Sequence, residues 1–125
     1  MRKIMIVDDN YLSAEGIEKN IDWEVLNAEI VHICYNGTSA IDAMKKEPVD
    51  LIISDIEMPD LDGISMSRQA LDINPMVKII LISAYDKFEY ARRALLLGAL
   101  DYIEKPLDYA YLIQKVNNAF ALMER

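Results

Sequence analysis

The sequence has a single cysteine, Cys34, in 125 residues. No internal disulfide can form, and such usage suits a reducing compartment. It is short of basic residues: 13 lysines and arginines stand against 21 aspartates and glutamates, and the resulting net charge of −8 opposes direct nucleic-acid binding. No apolar run approaches the roughly 20 residues of a membrane span. The N-terminal run Ile4-Met5-Ile6-Val7 meets Asp8 too soon to be a signal peptide. Linkers, internal repeats and low-complexity stretches are also missing. What is present, 53% hydrophobic and 27% charged residues, is the composition of a globular chain and not of a disordered tail. The length is that of one domain, residues 1–125, able to bury roughly two-thirds of its unfolded surface without disulfides or a structural metal. An acidic, soluble, cytoplasmic single domain is expected.

Short apolar runs alternate with longer amphipathic ones. Ile4 to Val7 ends at Asp8-Asp9-Asn10, Ile30 to Tyr35 at Asn36-Gly37, Leu51 to Ile53 at Ser54-Asp55, Ile79 to Ile82 at Ser83, and Tyr102-Ile103 at Lys105-Pro106. Continuous apolar runs of this kind predict strands covered on both faces, the mark of a parallel sheet. Helices are predicted between them. The first runs over Leu12–Ile21 after an Asn10 cap, and the second is capped by Thr38 or Ser39 with Ala40, Ile41 and Met44 inward. The third covers Ile64–Leu71 after Asp62-Gly63, and the fourth covers Phe88–Leu97 with Gly98 as its stop. In the last, Leu112, Ile113, Val116, Ala119, Phe120 and Met123 fill one stripe. Five βα units predict an α/β fold, a flavodoxin-like doubly wound five-stranded parallel sheet of order 2-1-3-4-5. Its ligand crevice lies between the first and third strands, at their carboxyl ends.

The strand ends carry the chemistry. Asp8 and Asp9 close the first strand, Asp55 the third and Ser83 the fourth, and Lys105 follows the fifth. Three carboxylates in one crevice repel each other by roughly 4 kcal/mol per close pair at an effective dielectric of about 20. Either their pKa values rise or a cation sits among them. Hard oxygen ligands with an open face suit Mg²⁺ together with a phosphate. Lys105 offers a point charge and Ser83 a hydroxyl donor to phosphoryl oxygens. A carboxylate can also act as a nucleophile and form an aspartyl phosphate. Taken singly, each of these residues reads more readily as a solvated strand end, a cap or a surface lysine; the joint pattern carries the signal. His32 reads as a structural or solvated histidine rather than a phosphodonor, Cys34 and the methionines as packing, and Trp23 as cover for the core edge between the first helix and second strand.

Over its whole length the sequence resembles the receiver domains of bacterial two-component response regulators. The matching segments are Ile6-Val7-Asp8-Asp9-Asn10, Ile53-Ser54-Asp55-Ile56-Glu57-Met58-Pro59, Asp62-Gly63, Ile82-Ser83-Ala84 and Lys105-Pro106. The resemblance implies that Asp55 accepts a phosphoryl group from a sensor histidine kinase. It implies Mg²⁺ held by Asp9, Asp55 and the backbone carbonyl of Glu57, with Asp8 on a metal-bound water. Ser83 and Lys105 would contact the phosphoryl group, Tyr102 would change rotamer with Ser83, and Lys105-Pro106 would be cis. Such a domain is a switch, not an enzyme in the usual sense, although it catalyses its own phosphoryl transfer and dephosphorylation. Ser83 stands where threonine is commoner. Glu57 is acidic where many receivers are neutral, which bears on phosphoryl lifetime. A finer likeness, in Ile21-Asp22-Trp23-Glu24 and Tyr85-Asp86-Lys87-Phe88-Glu89-Tyr90-Ala91, is to the YesN-like receivers that precede an AraC-type DNA-binding domain. The chain is then a receiver taken from a longer regulator, or a stand-alone one, that controls an output such as transcription and meets DNA only through a separate domain.

Two rival functions meet obstacles in the sequence. A haloacid-dehalogenase-like phosphatase needs Asp-x-Asp on its first strand, but residue 10 is Asn. An FMN carrier needs a glycine- and hydroxyl-rich phosphate loop where Asp8-Asp9-Asn10 would repel the ligand. In the fourth helix, Phe88, Ala91 and Leu95 are placed inward, which leaves Tyr90, Ala94 and Leu97 as a second apolar stripe. That stripe predicts a partner surface. By resemblance, phosphorylated copies pair as a homodimer through the fourth helix, fifth strand and last helix.

Overall fold

The computed structural model describes residues 1–84 and 88–124. Five strands form one parallel sheet in the order β2-β1-β3-β4-β5, as predicted: β1 (Arg2–Val7), β2 (Ala28–Cys34), β3 (Leu51–Asp55), β4 (Lys78–Ser83) and β5 (Asp101–Glu104). Five helices alternate with them: α1 (Tyr11–Asn20), α2 (Gly37–Lys46), α3 (Gly63–Ile73), α4 (Phe88–Leu97) and α5 (Tyr109–Met123).

The uninterrupted apolar strands follow from the two-sided cover. Side chains alternate across a strand, so Ile4 and Ile6, Leu51 and Ile53, and Ile80 and Ile82 meet α1 and α5 through Ala14, Ile17, Leu112, Val116, Ala119 and Phe120. Their neighbours Met5 and Val7, Ile52, and Ile79 and Leu81 meet α2, α3 and α4 through Ala40, Ile41, Met44, Ile64, Met66, Ala70 and Ala94. Burying each large aliphatic side chain contributes about 1.5–3 kcal/mol, so both layers resist any slip of register. Trp23 joins the α1/α5 layer, and its indole N–H donates to the Ile17 carbonyl at 3.3 Å. His32 is structural, with Nε2 2.9 Å from the Glu47 carbonyl oxygen.

Capping sets where the helices begin. The Asn10 side chain accepts from the Leu12 and Ser13 amides, Asp62 from the Ser65 amide and Asp108 from the Ala110 amide. Each satisfies donors that a first helical turn leaves open. The expected cap of α2 needs correction. Asn36, not Thr38 or Ser39, is the cap, with its side chain accepting from the Ser39 amide at 2.8 Å. The Thr38 hydroxyl instead donates to Asp60 at 2.6 Å. Gly98 ends α4 as expected, with φ +93°.

The phase of α4 also differs from the expectation. Ala94 is buried, and Tyr90 and Leu97 pack on the core, whereas Leu95 and Leu96 are 76% and 74% exposed. The expected inward place of Phe88 falls outside the described side chains. Both stripes of this helix are apolar, so periodicity alone does not choose between them. The return into β5 decides it: Ala99 N–H bonds the Ala94 carbonyl and Leu100 N–H bonds the Ile79 carbonyl, which turns the Tyr90–Ala94–Leu97 side onto the sheet.

Gly63, the first residue of α3, packs against the backbone of Asp55. An added Cβ would lie 2.2 Å from the Asp55 carbonyl oxygen. Gly63→Ala is expected to destabilise the fold by about 1–3 kcal/mol through forced backbone shift, read as a lower urea midpoint. A midpoint unchanged from wild type would show that the loop yields freely.

Candidate functional site

The carboxyl ends of β1, β3, β4 and β5 converge on one crevice. Backbone bonds extend the sheet just past the strand ends and so fix the loops: Asp8 N–H to the Cys34 carbonyl, Ile56 N–H to the Ile82 carbonyl and Lys105 N–H to the Ser83 carbonyl, at 2.8–3.0 Å. Asp8 and Asp55 are thereby held almost fully buried, while Asp9 stays exposed. One carboxylate oxygen from each of Asp8, Asp9 and Asp55 lies within 4.8 Å of the others. The Lys105 ammonium reaches Asp55 Oδ2 at 3.4 Å and Asp8 Oδ2 at 3.9 Å. Lys105-Pro106 is cis.

Burial governs the electrostatics. Asp55 is pushed up from 3.8 to about 6, first by desolvation and then by the Asp8 and Glu57 charges, against the pull of Lys105. Asp8 is raised as well, chiefly by desolvation, while the Asn10 amide and Lys105 act in the opposite direction. The Asn10 amide reaches Asp8 Oδ1 at 2.9 Å and the Ile56 amide reaches Asp55 Oδ1 at 3.1 Å. One lysine facing three acids leaves negative charge uncompensated. An all-oxygen donor set with one exposed edge fits a hard divalent cation better than a soft one.

The other residues singled out in the sequence lie around this centre. Ser83 is fully buried, and its hydroxyl donates to Glu57 Oε1 at 2.5 Å. Tyr102 is half-buried in β5, paired in register with Leu81 on the α4 side of the sheet. The Tyr85-Asp86-Lys87 part of the finer resemblance lies outside the described residues. Two clefts flank the acids. One, of about 380 Å³, is bordered by Asp8, Asn10, Leu12, Lys105, Pro106 and Tyr109. The other, of about 510 Å³, is bordered by Asp9, Glu57, Met58, Tyr90 and Arg93. Tyr90 and Arg93 were not anticipated at the site, because the α4 phase read from periodicity turned Tyr90 outward. Their i, i+3 spacing on one helix face is the signal that would place them together.

Comparison with known proteins agrees with this geometry. The family model described as the response regulator receiver domain matches residues 4–117. The transcriptional regulatory protein YesN of Bacillus subtilis is 29% identical over 125 residues, which is all of this chain and 34% of YesN. Other curated relatives, such as HptR of Staphylococcus aureus, are 32% identical over 114 residues, and the chain spans 44% of their length. The receiver domain of AraT, a response regulator from Geobacillus stearothermophilus, superposes with a TM-score of 0.92 at 33% identity, covering 98% of this chain and 95% of that one.

The burial of Asp55 makes stability depend on pH. A carboxyl whose pKa is raised on folding contributes stability below its unfolded value near 3.8 and loses it as pH rises through about 6. The cost of ionised Asp55 is on the order of 3 kcal/mol. Without divalent cations, Asp55→Asn is expected to melt above wild type at pH 7.5, with the gap narrowing toward pH 4. A gap constant across that range would show that Asp55 ionises as easily in the folded chain as in the unfolded one.

Proposed function

The chain belongs to the response regulator receiver domains, the phosphoacceptors of two-component signal transduction, and from that premise we propose that Asp55 takes the phosphoryl group from a sensor histidine kinase. The observation that carries this reading is the placement of Asp55 at the centre of the crevice, within reach of Asp8, Asp9 and Lys105. With its pKa near 6, Asp55 is mostly ionised at neutral pH and available as a nucleophile. Its oxygen attacks phosphorus, an O–P bond forms, the P–N bond to the kinase histidine breaks, and the imidazole leaves. Lys105 pairs with the charge carried over to the phosphoryl oxygens, and Ser83 donates its hydroxyl to one of them. Asp8, Asp9, Asp55 and the Glu57 carbonyl would hold Mg²⁺, which when bound offsets the charge of nucleophile and phosphoryl group. The same groups would then assist attack by water on the acyl phosphate, so that the domain dephosphorylates itself.

The kinase would approach over the cleft of about 380 Å³ beside α1, where Tyr11 and Leu12 are 65% and 78% exposed. Transcription would be the output, through a separate DNA-binding domain of AraC type, and the setting would be the cytoplasm. Among the described residues no helix is long and apolar enough to cross a membrane.

Incubation of wild type with acetyl phosphate and Mg²⁺ is expected to add one phosphoryl group per chain by intact mass, and Asp55→Asn to add none. Stoichiometric phosphate on that variant would overturn the assignment. Association of phosphorylated copies through α4, β5 and α5 is also part of the proposal. Its apolar contact on α4 would be the exposed Leu95, which borders one groove with Asp101 and Tyr102 of β5, since Leu97 packs inward. Leu95→Glu is therefore expected to abolish any dimer that beryllium fluoride induces in sedimentation. A variant that dimerises like wild type would place the interface elsewhere.

A further inference from the structure

The Ser83 hydroxyl and the Glu57 carboxylate meet across the mouth of the site, joining the end of β4 to the loop after β3. A serine hydroxyl carries one proton to donate. While that proton is given to Glu57 Oε1, it is not available to an oxygen on Asp55. The two partners differ in freedom. Ser83 closes a buried strand and has no exposed surface, whereas Glu57 is half-buried on a loop beside an open cleft.

We propose that Glu57 is a positioning residue that latches the Ser83 hydroxyl in the unphosphorylated protein, and that phosphorylation of Asp55 must displace it before Ser83 can bind the phosphoryl group. The proposal rests on the reading of Asp55 and Ser83 given above. A phosphoryl group brings fresh negative charge next to Glu57 and competes for the same donor, so both effects push the carboxylate away. The cleft of about 510 Å³ gives it somewhere to go, and Arg93 on α4 supplies a cation on that cleft's wall. A displaced Glu57 then faces α4, so the latch links the chemistry of Asp55 to the position of that helix. Tyr90, on the same wall, packs on the core that Ala94 enters, which makes α4 the element that registers the change.

Affinity for beryllium fluoride with Mg²⁺, followed by fluorine NMR, tests the latch in four proteins: wild type, Glu57→Ala, Ser83→Ala and the double variant. Removing Glu57 also removes a repelling charge, and that gain is the same with or without the serine. The latch adds a gain that exists only when Ser83 is present. Glu57→Ala is expected to tighten binding about tenfold more in the Ser83 protein than in the Ser83→Ala background, a difference equal to about 1.4 kcal/mol. Glu57→Gln keeps an oxygen for the hydroxyl but loses the charge, and it is expected to fall between wild type and Glu57→Ala. It also serves if Glu57→Ala fails to fold. Equal tightening in both backgrounds, or Glu57→Gln matching Glu57→Ala, would reduce Glu57 to a simple charge and overturn the latch. Failure of the underlying reading shows differently: Asp55→Asn would bind as wild type does, or Ser83→Ala would bind no more weakly in the Glu57→Ala background, where no carboxylate competes for the hydroxyl.

Discussion

Burial of Asp55 beside Asp8, with Lys105 as the cation that bridges both, is the constraint on which the rest of the structure depends. Two ionised carboxylates about 4 Å apart repel by roughly 4 kcal/mol at an effective dielectric near 20. Desolvation adds to that and is the larger cause of the raised Asp55 and Asp8 pKa values. A surface cluster would relax by swinging apart. Here neither acid can, because Asp8 directly follows β1 and Asp55 is the last residue of β3, two adjacent strands at the centre of the sheet. The fold therefore carries an electrostatic cost at these two acids. A divalent cation held by Asp8, Asp9 and Asp55, as proposed, would relieve that cost, so affinity for it and instability without it would have one origin.

Holding the acids in place requires a sheet that does not slip. A one-residue shift of β3 against β1 would exchange the Leu51–Ile53 face with that of Ile52 and turn Asp55 toward the other layer. The two aliphatic layers oppose such a shift from both sides, and the backbone bonds of Ile56 and Lys105 carry the ladder one step beyond the strands. Gly63 lets α3 start directly against the Asp55 carbonyl, which ties the helix to the end of β3. Core packing and site geometry are thus the same contacts seen from two ends of the strands.

The strand order, the helix count and the grouping of Asp8, Asp9 and Asp55 were legible because each rests on a local pattern. A run of apolar residues ends in an acid, and the parallel sheet brings the ends together. What was not legible depends on choices between locally equivalent options. Asn36 competes with Thr38 and Ser39 as a cap, and the outcome follows from Thr38 finding Asp60 on a distant loop. In α4, the Tyr90–Ala94–Leu97 and Ala91–Leu95 stripes are alike in polarity, and the entry into β5 breaks the tie. The Ser83–Glu57 bond spans 26 positions between two elements, and no spacing rule reports it.

That bond changes how the switch is balanced. To turn a 1:99 population into 99:1 takes about 5.5 kcal/mol of preference for the active state. On the proposed chemistry the phosphoryl group gains charge-assisted bonds from Lys105 and Ser83, and hydrogen bonds to charged groups are worth about 1.5–3 kcal/mol each. The Lys105 ammonium already pairs with Asp55, and the Ser83 hydroxyl already bonds Glu57. Both donors are therefore engaged before phosphorylation, and only the difference between old and new bonds is available to shift the equilibrium. A receiver with a neutral residue at position 57 would keep more of the Ser83 contribution for activation. On the proposed latch, Glu57 would hold the resting state more firmly, and part of the driving force would come from the carboxylate finding a new partner along the wall formed by α4.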